Sequence, residues 1–170
     1  GVRGGGVAHG RAGREPAPGG SVAGTIVRHG TPEQQARWLP EIRSGETHFS
    51  LAYSEPEAGS DLAALRCRAE LRDGHYVVSG EKCWQSYAQD MDYLWLLCRT
   101  GAADSRAAGL SLLIVDLKVP GVSVGSLSMI DGHQLNEVHP DCVEVPIDQR
   151  VGPENGARQF MSYALADDRR

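Results

Sequence analysis

Short β-rich runs, punctuated by Gly, Asp and Pro, follow one another along the chain from Phe49 to Val145. Runs of this length predict strands joined by tight turns. In Arg72-Asp73-Gly74-His75 the Asp-Gly pair readily takes the positive φ angles of a hairpin. The pattern predicts a mainly β fold, an antiparallel β-barrel or sandwich flanked by short helices and α+β overall. The predicted strands are residues 49–53, 66–71, 75–78, 82–86, 93–99, 110–117, 122–126 and 143–145.

A short helix is predicted ahead of these strands. Thr31 is a good N-cap, Pro32 suits the first helical position, and Gln34 completes a capping box with Thr31. Pro40 is expected to break or kink this helix, because proline cannot donate the helical hydrogen bond. Ser44-Gly45 is expected to end it.

Composition divides the chain into four parts. Residues 1–20 hold eight glycines and no Leu, Ile or aromatic residue, so disorder is expected, since little apolar burial opposes the entropy cost of ordering. An Arg/Gly-rich RNA-binding tail is the weaker alternative, because the arginines there have no interleaved aromatic residues. Residues 21–46 are predicted to be helical, 47–150 to form the β-domain, and 151–170 to begin a second helical region whose helix starts at Glu154.

The charge and cysteine content exclude several classes of protein. Seventeen Lys and Arg against 22 Asp and Glu give a net charge of −5, which disfavours nucleic acid as a partner. No apolar run approaches the roughly 18 residues of a membrane span, so we expect no membrane insertion and a cytoplasmic protein. The cysteines have neither CxxC spacing nor nearby His partners, so we expect reduced thiols and no metal site. They are Cys67, Cys83, Cys98 and Cys142.

Two segments carry residues suited to binding a cofactor. Leu51-Ala-Tyr-Ser-Glu-Pro-Glu-Ala-Gly-Ser-Asp61 ends an apolar strand in a turn that offers hydroxyls and backbone N–H groups to an anion or a ring edge. Gly80-Glu-Lys-Cys-Trp-Gln-Ser86 places Trp84 and Ser86 two residues apart, so both side chains face the same side of a strand. Together they predict a cradle for a flat, polar-edged ligand.

These residues also have structural interpretations. A strand tryptophan such as Trp84 is most often part of a core. Glu55 and Asp61 are expected to cap backbone amides or pair with Arg rather than act as acid or base. Ser54 and Ser60 have no His partner in a pattern typical of a nucleophile, so hydrolase chemistry is disfavoured.

The two segments resemble the middle β-domain of the acyl-CoA dehydrogenase family, in which a Ser/Thr-Glu-Pro-x-x-Gly-Ser-Asp loop precedes a Gly-x-Lys-x-Trp-x-Ser/Thr strand. The resemblance covers residues 24–170. One departure is His139-Pro140, where the family often has two aromatic residues, and the proline is expected to interrupt or bulge that strand. Further pieces in family order are residues 30–35, 38–40, 44–46, 96–100, 120–122, 136–138, 145–146 and 151–156.

The resemblance implies FAD as cofactor and an acyl-CoA thioester as substrate. It places Ser54 at the edge of the flavin ring, and Ser60 beside both the FAD pyrophosphate and the acyl-CoA. It packs Trp84 on the flavin, with Gln85 contributing through its backbone and Ser86 bonding the polar edge. The implied cofactor-binding residues are Leu51, Tyr53, Ser54, Gly59, Ser60, Trp84, Gln85 and Ser86, and Ser60 also binds substrate.

The implied reaction is α,β-dehydrogenation of an acyl-CoA. Family members are longer, so the chain is expected to be a fragment that lacks most of the N-terminal helical domain and the C-terminal bundle, including the catalytic base glutamate. Electron-transfer flavoprotein is the expected acceptor, and the complete protein is expected to be a homo- or hetero-oligomer. The alternatives are an inactive flavin- or acyl-CoA-binding module, a partner chain of a mixed oligomer, and, more remotely, an acyl-CoA oxidase-like enzyme.

Overall fold

The computed structural model describes residues 19–129 and 134–159. In these residues two helices precede ten strands, which form a seven-stranded sheet of order β10-β6-β5-β2-β3-β9, with β1 also paired to β5, and a three-stranded sheet of order β4-β8-β7. None of the described helices is long and apolar enough to cross a membrane. The elements are α1 (Gly19–His29), α2 (Pro32–Ser44), β1 (Phe49–Ala52), β2 (Arg68–Arg72), β3 (His75–Ser79), β4 (Lys82–Ser86), β5 (Tyr93–Arg99), β6 (Leu110–Asp116), β7 (Val122–Ser128), β8 (Gln134–Pro140), β9 (Val143–Pro146) and β10 (Arg150–Val151).

The helices cover one face of the larger sheet, and the smaller sheet covers the other. On the helix side, Trp95 of β5 lies in one core cluster with Trp38 of α2. On the opposite side, Leu94 and Leu96 lie in a second cluster with Val138 of β8. Strand β5 is therefore buried on both faces, which explains why its sequence is a continuous apolar run instead of an alternating one.

The mainly β, two-sheet fold predicted from the sequence is confirmed, with mixed pairing in the larger sheet. Strands β2 and β3 form the predicted hairpin through Asp73 (φ 48°) and Gly74 (φ 81°). Strands β1 and β2, however, both pair with β5 in the parallel direction. The larger sheet is therefore mixed and not antiparallel throughout, a detail that the sequence could not indicate because alternation along a strand reports burial and carries no signal of strand direction.

Helix α2 begins with the predicted capping box. The N–H of Gln34 donates to Thr31 Oγ1 at 3.2 Å, and the N–H of Thr31 donates to Gln34 Oε1 at 3.1 Å. Gly45 ends the helix in the left-handed conformation, at φ 72°. Of the predicted break or kink at Pro40, the break does not occur, since the helix continues to Ser44. Pro40 is exposed, so water can bond the carbonyl that the proline leaves without a donor.

Strand β8 corrects a second prediction about proline. Pro140 was expected to interrupt or bulge the strand, yet β8 pairs with β7 without a register shift up to Val122 opposite Pro140. Pro140 is the last residue of β8, where the missing N–H costs least, and its carbonyl accepts the N–H of Gly80 at 3.0 Å. The irregularity in this sheet lies on β4 instead, between Lys82 and Gln85.

The two ends of the chain fall largely outside the described residues. Of the segment 1–20 predicted to be disordered, only Gly19 and Gly20 are described, and they begin α1. Residues 152–157 form turns, and helical conformation begins at Arg158, later than the predicted start at Glu154. A left-handed Asn155 (φ 60°) explains the delay, because it cannot belong to a right-handed helix. Residues 160–170 of the predicted helical region lie outside the described residues.

Candidate functional site

The structure brings the two candidate segments into direct contact. The N–H of Cys83 on β4 donates to the carbonyl of Ser54 at 3.0 Å. The ammonium of Lys82 donates to the carbonyl of Tyr53 at 3.0 Å and to the Glu55 carboxylate at 2.8 Å. Residues 54–61, here called the 54–61 turn, therefore lie against the strand that carries Trp84.

The 54–61 turn is closed by two backbone hydrogen bonds. The N–H of Glu55 donates to the carbonyl of Ala58 at 2.9 Å, and the N–H of Ala58 donates back at 3.1 Å. Gly59 and Ser60 follow the closed part and are exposed. A Cβ atom added at Gly59 would meet no heavy atom within 4 Å, so the backbone there is open to close approach by a ligand.

Strand β4 presents an aromatic side chain to solvent. Trp84 is 57% exposed and has a left-handed backbone, at φ 67°, a conformation that is rare for a bulky residue. Ser86 is also exposed, whereas Gln85 between them is buried. The interpretation of Trp84 as a core tryptophan is therefore wrong. The register shift on β4 turns the indole outward, and strained backbone of this kind is concentrated at functional sites.

The two candidate segments also carry three serine hydroxyls, those of Ser54, Ser60 and Ser86. Within residues 19–129 and 134–159, the hydroxyls of Ser54, Ser60 and Ser86 make no hydrogen bond. Leu51 and Tyr53 are placed differently, because their side chains pack on the helix-side core cluster and are half-buried. The serines therefore have free hydroxyls, whereas the side chains of Leu51 and Tyr53 lie toward the helices.

Two of the three carboxylates in the 54–61 turn, Glu55 and Asp61, have the structural roles that the sequence predicted. Glu55 accepts the backbone N–H groups of Arg66 at 2.6 Å and Cys67 at 2.9 Å. Asp61 pairs with Arg106, with a shortest N···O distance of 2.7 Å. Both groups therefore make the local contacts expected of structural residues.

Sequence reasoning missed Arg99, which supports the far end of the 54–61 turn. Its side chain is 4% exposed. It donates to the carbonyls of Leu65 at 3.1 Å and Ala63 at 2.8 Å, just beyond Asp61. It also donates to the carbonyl of Arg106 at 3.0 Å. A charged residue closing the apolar run of β5 was the only sequence signal of this role.

Burial protects most of the cysteines, which are all free. Desolvation raises the pKa of Cys67 to about 11, against a lowering by the nearby Lys82 charge. Desolvation also raises the pKa of Cys83 and of Cys98. Cys142 is exposed. We therefore predict that iodoacetamide at pH 8 labels Cys142 alone in the native protein, since the thiolate is the nucleophile.

Mass spectrometry of the labelled protein tests this prediction. Labelling in urea is the control and should reach all four cysteines. Native labelling of Cys67 at a rate comparable with Cys142 would contradict the burial described here.

One group of possible metal ligands forms across strands in the described part of the chain. A ligand atom from each of Glu81, Glu137 and His139 lies within 4.8 Å of the others. Glu81 is exposed and the other two are half-buried. No short-range spacing indicates this group, because Glu81 is distant in the chain and meets Glu137 and His139 through the β4–β8 pairing.

Residues 50–143 match the family model "Acyl-CoA dehydrogenase, middle domain". The chain therefore belongs to the acyl-CoA dehydrogenase family, whose members are FAD-dependent oxidoreductases.

Relatives and solved structures agree with this membership. Acyl-CoA dehydrogenase FadE29 of Mycobacterium tuberculosis is 43% identical over 151 residues, which are 88% of this chain and 39% of FadE29. The "Tcur3481-Tcur3483 steroid ACAD" structure has a TM-score of 0.85 and 34% identity, covering 88% of this chain and 39% of that one. The structure of the ChsE4-ChsE5 complex from Mycobacterium tuberculosis has a TM-score of 0.81 and 40% identity. The match covers 85% of this chain and 38% of that one. The chain thus spans about two fifths of the length of these relatives.

Proposed function

We propose that this chain supplies the flavin- and thioester-binding middle domain of an enzyme that dehydrogenates the α,β bond of an acyl-CoA. The observation that carries the proposal is the contact between the 54–61 turn and β4, through the 3.0 Å bond from Cys83 N–H to the Ser54 carbonyl. The contact supports the proposal because it joins a turn that carries unpartnered hydroxyls to the strand that carries the exposed indole, and these groups suit a ligand with a flat aromatic face and a polar edge.

The described residues fit the parts of FAD. The hydroxyls of Ser54 and Ser86 can bond the polar edge of the ring, and Trp84 can cover an aromatic face. Ser60 and the open backbone at Gly59 suit a diphosphate and the substrate thioester, because exposed N–H and hydroxyl groups in a turn bind anions. When bound, FAD supplies the acceptor for the hydride that leaves the β-carbon of the thioester.

The residues of this chain then bind and orient rather than transfer the proton. Trp84 excludes water from the ring that it covers, and Ser60 holds the thioester beside it. Glu55 and Asp61 are engaged in the contacts described above, so we propose that the base belongs to another part of the full protein. Electron-transfer flavoprotein is the proposed acceptor of the electrons.

A second candidate is a non-catalytic partner chain of a mixed oligomer. Its support is that two of the similar structures are named as pairs of components, Tcur3481-Tcur3483 and ChsE4-ChsE5. Such a chain would bind flavin or acyl-CoA and leave the proton transfer to its partner.

A spectroscopic titration separates these candidates. FAD binding by the purified chain is followed by visible absorption, and acyl-CoAs are then added without oxygen to the FAD-bound full-length protein, which would carry the proposed base. The panel includes straight, branched and steroid-side-chain thioesters, the last because Tcur3481-Tcur3483 is named a steroid ACAD. Bleaching of bound flavin supports dehydrogenation, and bound flavin that does not bleach supports the partner chain. Rapid reoxidation by oxygen instead of by electron-transfer flavoprotein would indicate an oxidase. A folded chain that binds no flavin contradicts the proposal.

A further inference from the structure

The contact between the 54–61 turn and β4 contains a buried ion pair. Lys82 Nζ lies 2.8 Å from Glu55 Oε1, and the two side chains are 0% and 7% exposed. The same ammonium donates to the carbonyl of Tyr53 at 3.0 Å. Two of its three N–H groups therefore end on residues in or beside the turn, although Lys82 itself is the first residue of β4.

Glu55 extends this contact to a third segment. Its Oε1 also accepts the N–H of Cys67 at 2.9 Å, and its Oε2 accepts the N–H of Arg66 at 2.6 Å. These two residues lead into β2. The Glu55 carboxylate, which belongs to the 54–61 turn, thus accepts hydrogen bonds from β4 and from the segment before β2.

Gly80 brings the start of β4 against the same segment. A Cβ atom added there would lie 2.6 Å from the Cα of Cys67, and the backbone has a φ of 150°. This close approach directs Lys82 into the interior, where it has Glu55 as its counter-charge. The backbone just before β4, at Gly80, and the carboxylate of Glu55 therefore meet at Cys67.

Stability alone does not account for an ion pair at this place. Removing two charges from water costs about as much as their attraction returns, and apolar side chains of similar volume often stabilise a fold equally well. An apolar pair has no direction, however, whereas hydrogen bonds of 2.8 and 3.0 Å fix both a distance and an angle. The pair therefore specifies where the turn lies relative to the strand.

We infer that Lys82 is a positioning residue, which acts through Glu55 to hold the 54–61 turn in register with Trp84. The importance of this register for a ligand rests on the proposed function, because the turn and the strand would form one flavin site. The clamp itself is a property of the chain and can be measured without flavin.

Amide hydrogen exchange of the Lys82→Met variant tests the clamp. The Cys83 N–H bonds to the Ser54 carbonyl only while the turn stays against β4. We expect its exchange to accelerate about a hundredfold relative to the amide of Leu113, a buried residue of the larger sheet that reports global unfolding. Unchanged relative protection of Cys83 would overturn the inference.

Milder and matched variants complete this measurement. Glu55→Gln keeps the shape of the side chain, removes its charge and replaces one acceptor oxygen with an NH2 group. It weakens the same contact from the Glu55 side, so it covers the case in which Lys82→Met does not fold. Lys118→Met and Glu70→Gln make the same chemical changes at exposed ion pairs, with side chains 75% and 42% exposed. The controls should leave the Cys83 amide as protected as in the unmodified chain.

Titration of the same variants with FAD then separates the inference from the proposed function. We expect Lys82→Met to weaken FAD binding about tenfold at a temperature where it is fully folded, because the supporting residues set the geometry of a site. Equal affinity in the folded variant and the unmodified chain would overturn the positioning role. The unmodified chain could instead bind no FAD while the Cys83 amide still exchanges faster in Lys82→Met. In that case the clamp is established and the proposed function fails.

Discussion

Replacing Arg99 with methionine is expected to lower the free energy of unfolding by about 3 kcal/mol or more. The buried guanidinium donates to the carbonyls of Leu65, Ala63 and Arg106 at 3.1, 2.8 and 3.0 Å. Methionine fills much of the same volume and leaves all three carbonyls without that donor. A buried polar group left unpaired costs about 1–3 kcal/mol, so the loss of several such bonds has a large effect.

Urea unfolding of Arg99→Met and Arg68→Met measures this cost against a matched control. Arg68 lies opposite Arg99 in the β2–β5 pairing. Its side chain is 47% exposed and pairs with Glu70 in solvent, so its removal should change stability by less than about 0.5 kcal/mol. Equal unfolding midpoints for the two variants would show that the Arg99 hydrogen bonds do not stabilise the fold.

The loss of Arg99 should also loosen the chain near the candidate site. The Arg99 guanidinium donates to the carbonyl of Ala63, three residues after Ser60. Asp61, which lies between Ser60 and Ala63, forms an ion pair with Arg106. Both stretches depend on the same guanidinium, so we expect limited proteolysis of Arg99→Met to cut first near Ser60 or Arg106. The fold of β5 thereby supports the surface that Ser60 presents.

Most of the β-domain could be predicted because strand patterns and turn residues are local properties. Asp73-Gly74 specifies the β2–β3 hairpin, since its residues tolerate the φ angles of 48° and 81° that the turn requires. The partner of a strand is not local. Nothing in residues 49–52 indicates that β1 lies parallel to β5, and the effect of Pro140 depended on its position at the end of β8.

The candidate site was predictable as two motifs but not as one surface. A lysine in a strand is ordinarily exposed to solvent. Lys82 is completely buried because Glu55, in another segment of the chain, supplies its counter-charge. The exposure of Trp84 has a similar origin, because it depends on a register shift between β4 and β8. Such contacts arise from tertiary packing, which no pattern within either motif encodes.

Replacing Trp84 with glycine is expected to weaken FAD binding while leaving the stability of the fold nearly unchanged. The indole is 57% exposed, and covering about 100 Å² of it with a flavin ring is worth about 2.5 kcal/mol. We expect Trp84→Gly to weaken FAD binding ten- to a hundredfold. Stability should change by less than about 1 kcal/mol, because the loss of partial burial is offset by relief of the left-handed backbone at φ 67°.

Two further variants show whether the loss of FAD affinity in Trp84→Gly is due to the missing aromatic ring. Trp84→Phe retains a ring and should retain most of the FAD affinity in a fluorescence titration. Tyr87→Gly removes a neighbouring aromatic residue that is 45% exposed and also left-handed, at φ 56°, and should leave the affinity unchanged. If Tyr87→Gly weakens binding as much as Trp84→Gly, backbone flexibility after β4 explains the loss, and the flavin does not lie on the indole.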